Sequence, residues 1–120
     1  MQTQPGRRDL GGVEAYELLK SPNSSPYIIL FHGYGANAYD LMPLHQVLAP
    51  NADVNWLFPQ GIVDIDVGMG MMGKAWWHID IIAYQQAMMR GEVRDLSKSR
   101  PDGLDAAKEA AIEMLKELKI

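Results

Sequence analysis

Five consecutive apolar residues, Tyr27-Ile28-Ile29-Leu30-Phe31, stand out from an otherwise mixed chain. The run is β-branched and aromatic, and Pro26 closes it on the N-terminal side. Such a run reads as a strand buried on both faces, as in a parallel sheet covered by helices. Val54-Asn55-Trp56-Leu57-Phe58 reads as a second buried strand, ended by Pro59-Gln60-Gly61. Between the two, Leu41, Leu44 and Leu48 fall at i, i+3 and i+7, which predicts a short helix over 41–48. Pro43 is tolerated only in the first turn of that helix, so Asp40 is the expected cap, ahead of Asn37. Strand, glycine loop, helix and strand make one βαβ unit, with parallel strands and a right-handed crossover.

On either side of this unit the pattern weakens. Val13 to Leu19 alternates only in part, which suits an edge strand. Residues 1–12 are polar and read as a loose leader, leaving 13–120 as the domain. Ser21 to Pro26 is a cluster of turn formers. Residues 79–96 mix apolar and charged positions around Gly91 and read as a lid-like excursion, with no periodicity that assigns a conformation. The clearest helix comes last, introduced by Ser99 or Asp102 with Pro101 and Gly103. Leu104, Ala107, Ala111, Leu115 and Leu118 line one face. Asp105, Glu109, Glu113, Lys116 and Lys119 line much of the other, with the lysines in the final turns where the helix dipole favours them. The fold class is α/β, with mostly parallel strands covered by helices.

Composition narrows the function. The chain has 120 residues, enough for one domain with a modest core. Its net charge of -4, with no basic run longer than Arg7-Arg8, argues against a nucleic-acid surface. With no cysteine, disulfides, thiolate metal sites and cysteine nucleophiles are excluded together. No apolar run approaches the roughly 18 residues that span a bilayer. The polar N-terminus has no apolar core of a secretion signal, so a cytoplasmic location is expected.

The candidate chemistry follows the first apolar run. His32-Gly33-Tyr34-Gly35 would lie at a strand's carboxyl end, where open α/β sheets bind ligands. Two glycines one residue apart allow a tight turn that brings bare backbone close to a ligand. A loop of H-G-x-G type after a central strand is also where α/β-hydrolases place one oxyanion-hole N–H.

Gly68-Met69-Gly70-Met71-Met72-Gly73 spells G-x-G-x-x-G. A dinucleotide site needs a helix opening within that motif, and bulky Lys74-Ala75-Trp76-Trp77-His78 follows instead. No cofactor is expected. Met71 and Met72 beside Trp76 and Trp77 read either as an adaptable wall for an acyl chain or as core packing under a loop. His78 has no second histidine at i+4, and His45 sits near an apolar face, so both read as structural and no metal site is expected.

H-G-Y-G at 32–35, D-L at 40–41, F-P-Q-G at 58–61, A-W-W at 75–77 and P-D-G-L-D at 101–105 occur in one order. Together they resemble the phospholipase/carboxylesterase family of α/β-hydrolases, which includes acyl-protein thioesterases and lysophospholipases. The resemblance implies an acyl-ester substrate and makes the Tyr34 backbone N–H an oxyanion donor. His32, Gly33, Gly35, Met71, Met72, Trp76 and Trp77 would then border the substrate.

A serine hydrolase of this fold also needs a G-x-S-x-G elbow, then an acid, then a histidine. None of the five serines, at 21, 24, 25, 97 and 99, lies in such an elbow. The chain therefore reads as the N-terminal half of the domain, inactive alone. The alternatives are a non-catalytic binding module, or a half-domain that completes its sheet by self-association or with a C-terminal partner chain.

Overall fold

In the computed structural model, which describes residues 5–20, 26–48, 53–79, 81–91 and 102–118, a four-stranded sheet is covered on both faces. Its strands are β1 (Gly6–Leu10), β2 (Val13–Leu18), β3 (Tyr27–Ile29) and β4 (Asn55–Pro59), in the order β1-β2-β4-β3. β3 and β4 pair in parallel, as the βαβ reading requires, whereas β1–β2 and β2–β4 are antiparallel. The sheet is therefore mixed, which corrects the expectation of mostly parallel strands.

The antiparallel half begins inside the stretch expected to be a loose leader. Gly6–Leu10 is a strand, with Leu10 paired to Val13. The turn between them is Gly11-Gly12, both at positive φ, as a two-residue hairpin with the twist of its strands requires. β1 takes the edge, so β2 is interior and buried along nearly its whole length. β4 is buried throughout. β3 lies at the other edge and is only half-buried, and Phe31 beyond it is exposed, which corrects the expectation of a strand buried on both faces.

One face of the sheet packs on α3 (Leu104–Leu118). Leu10, Val13, Ala15 and Leu57 meet Met114 and Leu118 there. The helix presents Ala107, Met114 and Leu118, while Leu115 is exposed, so its buried stripe is rotated from the expected one. Its first backbone bond runs from the Ala107 N–H to the Gly103 carbonyl, which puts Gly103 in the cap position. Buried Glu17 on this face accepts from Arg8 at 2.9 Å and from the Tyr27 hydroxyl at 2.7 Å. Burial, reinforced by that bond, pushes the Tyr27 phenol up to about 12 and keeps it a donor.

The opposite face carries Tyr16, Leu18, Trp56 and Phe58 under the segment that links β3 to β4. The expected helix over 41–48 is there replaced by 3₁₀ turns at Ala38–Asp40 and Met42–Leu44 and a single α-turn, α1 (His45–Leu48). The first of these turns, not a helix at 41–48, is capped, and its cap is Asn37 with Asp40 as the turn's last residue. Asn37 Oδ1 accepts from the Asp40 N–H, and Asp40 Oδ2 accepts from the Asn37 N–H, a reciprocal box that satisfies both amides.

After β4 the chain forms a separate hairpin, β5 (Val63–Gly68) and β6 (Met71–Ala75). The G-x-G-x-x-G stretch is its tip: Met69 and Gly70 make the turn and no helix follows, so the phosphate-binding geometry is absent. Of residues 79–98, Ile81–Met89 is a helix, α2, and 92–98 lie outside the described residues.

Candidate oxyanion loop

The loop His32 to Ala38 leaves the carboxyl end of β3 and is fixed at both ends by the turn that follows β4. At its start, His32 is buried, 3% exposed, with both ring nitrogens engaged. Nε2 accepts from the Gly61 N–H at 2.9 Å, so the ring proton resides on Nδ1 and is donated to the Gly33 carbonyl at 2.8 Å. At its other end, the Gln60 Oε1 accepts from the Ala38 N–H at 2.6 Å. Gln60 is itself buried, and its backbone N–H donates to the Glu14 carbonyl at 2.8 Å.

β6 pins the middle of the loop. Gly35 N–H donates to the Lys74 carbonyl and Lys74 N–H to the Ala36 carbonyl, both at 2.9 Å. The backbones approach so closely that a Cβ on Gly73 would overlap the Gly35 carbonyl. Gly35 has φ +83°, a conformation that side chains other than glycine resist. Gly33 differs: its φ is not positive, and a Cβ there would meet nothing.

The amide inventory of the loop is uneven. Gly35, Ala36, Asn37 and Ala38 all donate within the chain, Ala36 to the Gly33 carbonyl at 3.2 Å. Among the described residues the His32, Gly33 and Tyr34 N–H groups take no partner; His32 is buried, whereas Gly33 and Tyr34 are exposed. Two adjacent donors are thus left open at a strand's carboxyl end, where a developing negative oxygen can be bound.

Trp76 adjoins this loop. Its Nε1 donates to the His32 carbonyl at 3.2 Å, and its ring lies 5.3 Å from Phe31 and 5.6 Å from His32. Trp77 lies against Gly103 at the start of α3. Met71 and Met72 open β6 beside the hairpin tip and are 68% and 63% exposed, so they do not pack as core. The structure thus brings His32, Gly33, Tyr34, Gly35 and Trp76 together, with His32 holding the loop through both ring nitrogens. Sequence reasoning passed over Gln60 and Gly61, although a glutamine closing a buried strand needs partners for its carboxamide.

His45 is buried on the far side of this loop, its ring 6.3 Å from Trp56. Among the described residues its Nδ1 and the Trp56 Nε1 lack hydrogen-bond partners, and desolvation, then the charge of Lys20, holds its pKa below the ordinary histidine value. Among the described residues no group of acidic or histidine side chains could hold a metal ion. Nor is any helix among them long and apolar enough to cross a membrane.

A search of the curated proteins returned no match. A family model described as Phospholipase/Carboxylesterase matches residues 18–100, more than half of the chain and all of β3, β4, the loop between them and the β5–β6 hairpin. The chain belongs to the phospholipase/carboxylesterase family.

Proposed function

We propose that this chain supplies the oxyanion-loop half of a serine carboxylic-ester hydrolase whose nucleophile elbow lies outside these 120 residues. The observation that carries this reading is the loop itself. It fixes four consecutive amides internally and leaves those of Gly33 and Tyr34 open at the carboxyl end of β3. In the completed enzyme a serine Oγ attacks the ester carbonyl, and the carbonyl oxygen becomes an oxyanion. The Tyr34 N–H donates to it, with the second donor being the amide after the serine. One such donor is worth about 2.7–4 kcal/mol of barrier, which makes the loop indispensable without making it sufficient. The phenol ring of Tyr34, being exposed, would shape the entrance for the acyl group.

The open side of β3 supports the same reading. Leu30 N–H bonds the Leu57 carbonyl, and the Pro26 carbonyl accepts from Asn55 N–H at 2.9 Å. By strand alternation, residues 26, 28 and 30 turn their backbone groups to β4, and 27, 29 and 31 turn theirs to the open side. A strand leading into an elbow would pair there and set its serine beside the loop. Hydrolysis of p-nitrophenyl butyrate tests the proposal. The 120-residue chain alone is expected to give no rate above a protein blank. A rate that scales with its concentration and is abolished by a serine-directed phosphonate would overturn the half-site reading.

A further inference from the structure

We infer that Gln60 is a positioning residue for the Tyr34 amide, acting through the Ala38 end of the loop. This rests on the oxyanion-loop reading above. Gln60 and Gly61 are consecutive, yet they fasten opposite ends of the seven-residue segment: Gly61 N–H holds His32 and the Gln60 carboxamide holds Ala38. Gln60 is in turn anchored by its own N–H to β2 at Glu14, so it cannot drift with the loop. With both ends held and Gly35 and Ala36 bonded to Lys74, the segment has little freedom left in which to turn Tyr34. Every amide from Gly35 to Ala38 is consumed and His32 is buried, which leaves Gly33 and Tyr34 as the exposed donors among the described residues. Releasing Ala38 would free its amide, loosen the capping box beside it and let the donors reorient. Preorganised donors are what make such a site effective, because they need not reorganise as charge develops.

Gly73 provides an independent handle on the same segment. It lets β6 approach Gly35, and a methyl group there would press the loop away without touching Gln60.

Hydrogen–deuterium exchange resolved to single amides, on the full chain, tests the inference. Gln60→Leu removes the acceptor and Gln60→Glu keeps an acceptor oxygen in either ionisation state. Gln60→Leu and Gly73→Ala are expected to speed exchange at residues 35–38 by about tenfold, with Leu57 in β4 unchanged, and Gln60→Glu to restore wild-type rates. Octanoate, as an oxyanion probe, is expected to protect the Gly33 and Tyr34 amides in the wild type and in Gln60→Glu but not in Gln60→Leu. Unchanged exchange at 35–38 in Gln60→Leu, a uniform rise that includes Leu57, or full octanoate protection in Gln60→Leu would each overturn the positioning role. Local loosening by Gln60→Leu without any octanoate protection in the wild type would instead sink the oxyanion reading.

Discussion

Gly33 and Gly35 stand one residue apart in the loop, but the backbone asks different things of them. Gly35 is held at positive φ and faces Val67, whose Cγ1 would lie 3.2 Å from an added Cβ. A Cβ on Gly33 would meet nothing. Gly35→Val should therefore destabilise the fold by roughly 1–2 kcal/mol from backbone strain alone. Gly33→Ala should leave thermal stability within about 0.5 kcal/mol of the wild type, yet slow a completed enzyme, because its methyl group would stand beside the open amides. Thermal melts of both variants check the first part, and turnover in the presence of an elbow-bearing half checks the second.

His45 makes a second residue-scale prediction. Its folded pKa lies below its ordinary value of 6.5, so the unfolded chain takes up the proton first. Its contribution to stability is complete above about pH 6.5 and is lost as pH falls below that towards the lowered folded value. Melting temperatures followed from pH 8 to pH 5 should drop more steeply for the wild type than for His45→Leu. Parallel curves would contradict the burial assigned to it. The structural reading of His45 was legible from its apolar setting. The role of Gln60 was not, because a polar residue after a strand gives no sign of which distant amide it will meet.

At the scale of elements, β3, β4 and the long C-terminal helix could be read because each carries a continuous or periodic apolar signal. β1 could not, since only Leu10 of its five residues is buried and an edge strand needs no apolar run. Its real signal was the Gly11-Gly12 pair before Val13. The linking segment misled for a different reason. The reciprocal bonds of Asn37 and Asp40, with Pro43 close behind, favour tight 3₁₀ turns over a regular helix, and spacing alone does not register that competition.

β3 itself yields the element-scale prediction. Among the described residues, the backbone groups of 27, 29 and 31 on its open side take no partner, and Phe31 is 49% exposed. Such an edge is a template for another strand. The isolated chain is therefore expected to self-associate at micromolar concentration, as seen by light scattering after gel filtration. Ile29→Pro should return it to a monomer with its far-ultraviolet spectrum preserved, because the lost N–H faces away from β4. A wild-type monomer would show that the edge is covered in another way.

At the scale of the whole molecule, the fold gathers a sheet, two covering layers and a hairpin around a loop only seven residues long. Gln60 and Gly61 after β4 and Lys74 of β6 converge on it, with Gln60 held in turn by Glu14 of β2. That convergence explains why the family motifs were legible in order along the sequence. H-G-Y-G is the loop, D-L closes its capping box, F-P-Q-G clamps its ends and A-W-W brings Trp76 against it. The half-domain reading assigns the remaining chemistry to polypeptide that pairs along β3. The most direct measurement is p-nitrophenyl butyrate hydrolysis by the chain mixed with a C-terminal half of an α/β-hydrolase of this family that carries the G-x-S-x-G elbow. The expected result is turnover only in the mixture, titrating to one chain per half and falling sharply when Gly35→Val replaces the wild type. A mixture that forms a complex with its serine open to a phosphonate probe, yet hydrolyses nothing, would contradict the oxyanion role and leave the chain a binding module.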